Sequence, residues 1–306
     1  MGWLEPLILT VITASTPLLL AAIGELVVER SGVLNLGVEG MMIMGAVCAF
    51  AIAVEMDSGL LGIIAGALAG AGLSVIFAVL TVSFATNQVA TGLALTLFGI
   101  GVSGVIGDGY VGVDRAPLPK LDFPGLSDAP FIGPVVFGQD ALVYVSFALV
   151  FGVAWFLRRT RTGLTLRAVG DNHNSAHSLG LPVARVRYLA ILFGGACAGL
   201  AGAYLSLSYT PLWVEEMTAG RGWIALALVV FSSWIPWRAI VGAYLFGAIT
   251  ILQFHAQGAG IGIPSQLMSS LPYLATIVVL VVISYERTRA RANTPLCLGV
   301  PFVPDR

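Results

Sequence analysis

Asn35, Asn87, Gln88, Thr91 and Gln253 are neutral hydrogen-bonding side chains set among residues that are otherwise Leu, Ile, Val, Ala and Gly. Glu39 and Trp223 are equally out of place there. Polar groups at membrane depth must face protein or a water-filled cavity. Amides and hydroxyls in such a place exchange hydrogen bonds with a neutral polar compound, and the seven residues are the expected lining of a polar path. A zwitterion would call for paired opposite charges, and none are evident. Glu39, unpaired at the centre of a span, would cost about 2.5–3.5 kcal/mol. It is read either as part of the path or as a structural carboxylate at a helix N-terminus, where negative charge is favoured.

All but Gln253 fall in three polar stubs. The first, ERSGVLNLGVEGMMIMGA (Glu29–Ala46), breaks what should be the start of a span. The second, TAGRGWIALAL (Thr218–Leu228), puts glycines and a charge ahead of a small-residue helix. The third, ATNQVATGLAL (Ala85–Leu95), is either a turn that caps a helix or a gate. The first two enter from opposite sides, and paired broken segments of opposite direction point to an inverted repeat around a central binding site.

A different chemistry is concentrated in RTRTGLTLRAVGDNHNSAHSLGLPVARVRYLA (Arg159–Ala190). Asn172 to Leu179 is expected to form a short helix that Gly180 and Pro182 end. His173 and His177 have the four-residue spacing of a metal pair, but beyond Asp171 no third ligand is evident, and no metal is expected. Leu164, Leu166, Leu179 and Leu181 form an apolar anchor with a polar rim of His173, Asn174 and His177, a pattern suited to a protein contact. Arg158 to Arg161 suit anionic lipid or simple topological anchoring. The chain has no GxxxxGK[ST] loop for ATP and no serine, cysteine or metal constellation of an enzyme. Its three cysteines are too few and scattered for a disulfide framework.

The elements that carry these residues are membrane helices. Hydrophobic residues make up 58% of the chain and charged residues 10%, against about 25% charged in soluble domains. Mean hydropathy is +0.93. The expected fold is all-α, with about nine spans at 6–24, 38–55, 60–82, 89–107, 139–157, 186–207, 221–235, 238–255 and 268–285, forming one transmembrane domain over 1–306. The seventh is short and is read as partly re-entrant. Residues 1–24 lack a basic start and are read as a span rather than a cleaved signal. With the N-terminus outside, twelve of the 15 basic residues fall on the cytoplasmic side, and only Arg115, Lys120 and Arg221 fall outside, as the positive-inside rule requires. The cytoplasm then holds the loop 158–185 and the tail 287–306. The proline-dense loop 108–138 is external, as an ordered cap or a loose loop. Net charge near zero gives no reason to expect nucleic acid.

LNLGVEGMM, RTGLTLRAVGDNHNSAHSLGL, GGACAGLAGAYLSL and MTAGRGWIALALVVF resemble the permease subunits of ABC importers for ribose-type sugars and branched-chain amino acids, in particular the nucleoside uptake permeases. The resemblance covers almost the whole chain. It implies a multi-pass protein of the bacterial plasma (inner) membrane that is not itself an enzyme. Its implied partners are a paralogous permease, forming a heterodimer, a cytoplasmic ATPase that binds the ATP and Mg, an external substrate-binding lipoprotein and membrane lipid. It also implies ATPase coupling through Leu164, Arg167, Asn174, Ala176, Leu179 and Gly180. Asn174-Ser175-Ala176 stands where relatives have Glu-Ala-Ala, and FSSWIPW departs from their glycine-rich turn. The expected cargo is a nucleoside or related nucleobase compound. The alternatives are a simple sugar, a branched-chain amino acid or, acting alone, ion-coupled transport with Glu39 as the ion site.

Overall fold

The computed structural model describes residues 4–258 apart from 122, 128, 129 and 131, scattered positions within 267–281, and 293–303. Among them, seven helices are long and apolar enough to cross a bilayer. They are α1 (Leu4–Arg30), α2 (Val38–Glu55), α3 (Gly59–Ala78, continued as a π turn to Ser83), α4 (Gln88–Gly107), α5 (Ala141–Arg159), α8 (Val183–Tyr204, continued to Tyr209) and α10 (Pro236–Gly258). Between α5 and α8 lie α6 (Arg161–Asp171) and α7 (His173–Ser178), and α9 (Arg221–Phe231) precedes α10. No strand occurs among the described residues.

Several helices begin where a side chain offers an acceptor to the unpaired N–H groups. The Asn87 side chain accepts from Ala90 N at 3.0 Å and starts α4. Asp140 accepts from Leu142 N and Val143 N and starts α5. Thr160 accepts from Gly163 N and starts α6. The centre of the bundle is α1, α2 and α8; α2 and α8 are 72% buried over their most apolar stretch, against 33% for α3 and 28% for α4. Small residues allow this packing, as they do in membrane helices generally. A Cβ on Gly45 of α2 or on Gly70 of α3 would overlap the backbone of Gly199 on α8. On the outer faces of α3 and α4, Leu60, Leu68, Leu97 and Val105 are exposed, as lipid contact requires.

Of the nine expected spans, seven stand as helices long enough to cross a bilayer among the described residues. The expected seventh, 221–235, yields only the eleven-residue α9, about 16 Å long against a hydrocarbon core of about 30 Å. The expected ninth, 268–285, lies for the most part outside the described residues. Described residues of the segment 108–138 are tied to one another and to the end of α8 by backbone hydrogen bonds. Leu118 N donates to Leu207 O, Leu121 N to Gln139 O, and the Gln139 amide to Pro134 O. Val111 pairs with Trp213 in an isolated bridge.

Candidate functional site

α9 begins inside the protein, at Glu39. Gly40, one residue along α2, lies against Leu95 and Thr96 of α4, about 10 Å from the start of that helix. α2 therefore also starts at depth, after the chain has turned back from the end of α1. The Glu39 carboxylate is buried. Oε1 accepts from the Thr218 hydroxyl at 2.5 Å and from Gly220 N at 2.8 Å, and Oε2 accepts from Gly222 N at 2.6 Å. Those N–H groups are the orphan donors of the α9 N-terminus, and a negative charge there also meets the positive end of the helix dipole. The first and second stubs are thus one junction. Glu39 caps a helix nearly two hundred residues away instead of its own. Gly220 adopts φ +80° to present its N–H, a conformation that favours glycine. A Cβ on Gly222 would lie 2.6 Å from Glu39 Cα.

From this junction α9 runs to the Arg30 end of α1. There the Trp234 indole donates to Glu29 Oε2 at 2.6 Å, and Arg30 donates to Trp234 O at 3.0 Å. The chain then turns through Ser233 and Trp234, both at positive φ, and returns as α10. Asn35 is fully buried. Its N–H donates to Glu25 Oε1 at 3.1 Å, and its side-chain oxygen accepts from Gly37 N at 2.9 Å. Gln88 is buried and accepts from Leu34 N at 2.8 Å. Asn35, Glu39 and Gln88 therefore gather around the entry to α2. Thr91 is half-exposed and exchanges a hydrogen bond with Thr86, and Asn87 is exposed at the α4 cap. Trp223 is exposed on α9. Gln253 is buried on α10, about 9 Å beyond Gly247, whose neighbour is Ser15 of α1; this puts it apart, towards the Leu4 end.

At the Arg30 end, the loop between α5 and α8 is two helices rather than one. The short helix expected between Asn172 and Leu179 forms as α7. Asn172 caps it through Ser175 N at 2.9 Å, and Gly180 closes it at φ +79°. Gly180 N donates to His177 O and Leu181 N to Ala176 O, the paired bonds of a glycine C-cap. Leu164 and Leu179 point outward, at 59% and 80% exposure, and Asn174 is exposed beside them. Leu166 and Ala176 are buried, so the expected four-leucine anchor is divided between the inside and the outside. Arg167 is half-exposed, with its Nε buried.

The loop is held by a node that sequence reasoning missed. Arg187, buried at the start of α8, donates to Ser31 O at 3.3 Å and to Val300 O at 3.2 Å, and its Nη2 lies 3.0 Å from His173 Nδ1. The tail adds a strap. Cys297 N donates to Gly170 O, and Gly299 N to Gly32 O. Phe302 packs edge-on to the rings of His173 and His177, with centroids 5.2 and 5.4 Å away. The two histidines are thus the seat of an aromatic ring.

Residues 7–284 match the family described as branched-chain amino acid transport system / permease component. The chain belongs to this permease family. It is 41% identical to the putative glucose ABC transporter permease protein TsgC13 of Haloferax volcanii over 92% of both chains. It is 32% identical to the guanosine ABC transporter permease protein NupQ of Bacillus subtilis over 98% of both. It is 31% identical to the nucleoside ABC transporter permease protein NupC of Lactococcus lactis, over 99% of this chain and 98% of that one. The family's members are transport subunits rather than enzymes, and this permease is a multi-pass membrane protein.

In the permease, burial and the neighbouring Arg187 guanidinium hold His173 below the usual imidazole value. A depressed histidine keeps its contribution at neutral pH and loses it as pH falls below the unfolded value of about 6.5. Melting temperature should therefore fall on acidification from about pH 7 to about pH 5, and the fall should be shallower in His173→Gln. Parallel pH profiles for the two proteins would show that His173 does not carry the effect. Two carboxylates were also missed. Glu25 and Glu29 are buried one turn apart on α1, so Glu39 is not the one carboxylate at depth. Their neighbours in sequence carry no signal of this, because partners such as Trp234 come from the other end of the chain.

Proposed function

We propose that this chain is one of two paralogous permease subunits of an ABC importer that carries nucleosides or related nucleobase compounds across the bacterial plasma membrane. The observation that carries the reading is its near-full-length likeness to nucleoside permeases of two organisms. Two relatives come from Bacillus subtilis, NupQ and the guanosine ABC transporter permease protein NupP, the latter 23% identical. A pair of different permeases in one organism supports a heterodimer. The second reading, a glucose-type sugar, is favoured by the 41% identity to TsgC13. The described path residues offer amides and hydroxyls to either cargo. Uptake of labelled guanosine by membranes holding the complete transporter, competed by unlabelled nucleosides and by glucose, decides. Competition by glucose alone would overturn the nucleoside reading. Uptake in liposomes without an ATPase would overturn the ABC reading.

In this proposal ATP and Mg sit on a separate ATPase, a lipoprotein delivers substrate outside, and the exposed edge of α6 and α7 (Leu164, Asn174, Leu179) meets the ATPase. Alternating access moves α9 about the Glu39 junction, and Asn35, Gln88 and Thr91 open to the path on one side of it. Residues 221–235 and 268–285 complete the membrane domain, with the inverted repeat centred on the junction. The orientation has the N-terminus outside. Single cysteines in a cysteine-free background test it: position 127 should label from outside, and position 174 only from inside. The reverse pattern at either site would remove the orientation.

A further inference from the structure

α5 and α8 do not close on one another at the Arg30 end. Between them is a cleft of about 590 Å³, floored by Val27 of α1 and bounded at its end by Thr162 and Thr165 of α6. Its walls are apolar: Leu149, Gly152 and Phe156 on α5, and Val186, Leu189 and Phe193 on α8. At helical spacing both stripes run on into arginine. Arg159 is three residues past Phe156, and Arg185 is four before Leu189. Arg161 stands four before Thr165. All three arginines are exposed, and among the described residues none of their guanidiniums has a hydrogen-bond or ion-pair partner. Leucines at the mouth are exposed as well, Leu189 at 68%.

We propose that this cleft is a binding site for one anionic glycerophospholipid, with an acyl chain between α5 and α8 and the phosphate against Arg159, Arg161 and Arg185. Charge selects the occupant. A purely apolar groove accepts any lipid tail, but three unpaired guanidiniums at the mouth favour a negative headgroup through paired N–H···O bonds. The hydroxyls of Thr162 and Thr165 are already paired, with Thr160 Oγ1 and Arg161 O, so the arginines carry the headgroup contact. The cleft touches both α5 and α6, so a bound lipid fills the angle between the membrane domain and the loop proposed to meet the ATPase. The inference rests on the proposed function only in assigning this end to the cytoplasmic leaflet.

The test is native mass spectrometry of the full chain, purified with the subunits that accompany it, during titration with phosphatidylglycerol or phosphatidylcholine. Two variants separate rim from cleft. Arg159→Gln combined with Arg185→Gln removes two charges and should weaken phosphatidylglycerol retention about twenty-five-fold, roughly fivefold for each arginine near an anionic headgroup, with phosphatidylcholine unchanged. Gly152→Leu leaves every arginine in place. A Cβ there meets nothing within 4 Å, so the larger side chain enters the cleft without backbone overlap, and it should also abolish tight phosphatidylglycerol retention. Undiminished retention in either variant would overturn the proposal. So would a photo-reactive residue at position 152 that crosslinks to a partner subunit instead of lipid. Retention is read whatever the complex carries, so failure of guanosine uptake, or inverted labelling at position 174, leaves the lipid result standing on its own.

Discussion

Glu39→Ala will abolish uptake and lower the melting temperature of the permease more than any other single loss of a polar group. Three donors depend on this carboxylate: the Thr218 hydroxyl, Gly220 N and Gly222 N. Alanine leaves all three without an acceptor, Thr218 and Gly222 buried and Gly220 half-buried, and strips the α9 N-terminus of its counter-charge. Loss of one partner from a buried charged network costs about 3–5 kcal/mol, and hydrogen bonds to a charged group contribute about 1.5–3 kcal/mol each. Glu39→Gln separates charge from shape. Its amide oxygen still accepts on one side, but an NH₂ faces a donor on the other, so the variant should fold with reduced stability and reduced uptake. Thermal unfolding in detergent and uptake in vesicles check both. Glu39→Ala with wild-type melting and wild-type uptake would mean that α9 is held by its apolar packing alone, and the junction would lose its role as a pivot.

The second large effect is expected at Gly180. A Cβ there meets open space, so Gly180→Val introduces no clash. What it disturbs is the backbone at φ +79°, which costs a β-branched residue more than the roughly 1–2 kcal/mol of an ordinary side chain. The glycine cap of α7 should open, and Leu179, 80% exposed, should lose its fixed direction. The arginines are untouched, so insertion and permease pairing should persist. Association with the ATPase, or hydrolysis stimulated by substrate, should fall at least tenfold. Phe302→Ala probes the same loop from beneath by removing the ring on which His173 and His177 rest. It should produce a milder form of the same uncoupling. If Gly180→Val hydrolysed ATP and transported like the wild type, the loop would be only a topological anchor.

Much of the local structure was legible from residue type and spacing. Asn172 and Gly180 bracket α7 because capping chemistry is local: an Asn oxygen reaches an N–H three residues on, and glycine alone turns left-handed without strain. The same holds for the long apolar helices, since an 18-residue run without charges has few alternatives. How deep 221–235 sits was not legible, for an equally physical reason. Thr218–Leu228 is apolar enough to enter a bilayer, but length in the sequence says nothing about the depth at which a helix begins.

That depth is a tertiary fact. It depends on Glu39, Thr218 and Gly222 lying within hydrogen-bond reach, and no periodicity relates positions so far apart in the chain. Glu29 and Arg187 are set by partners from distant segments, whereas Asn87 caps α4 through a local contact that the reading of its stub allowed. The sequence by itself determined that this is a polytopic helical permease with polar stubs and one arginine-rich loop, because hydropathy, charge placement and caps act over a few residues. Only the tertiary structure decided which polar groups meet, because burial forces each buried donor and acceptor to find a partner wherever in the chain it lies.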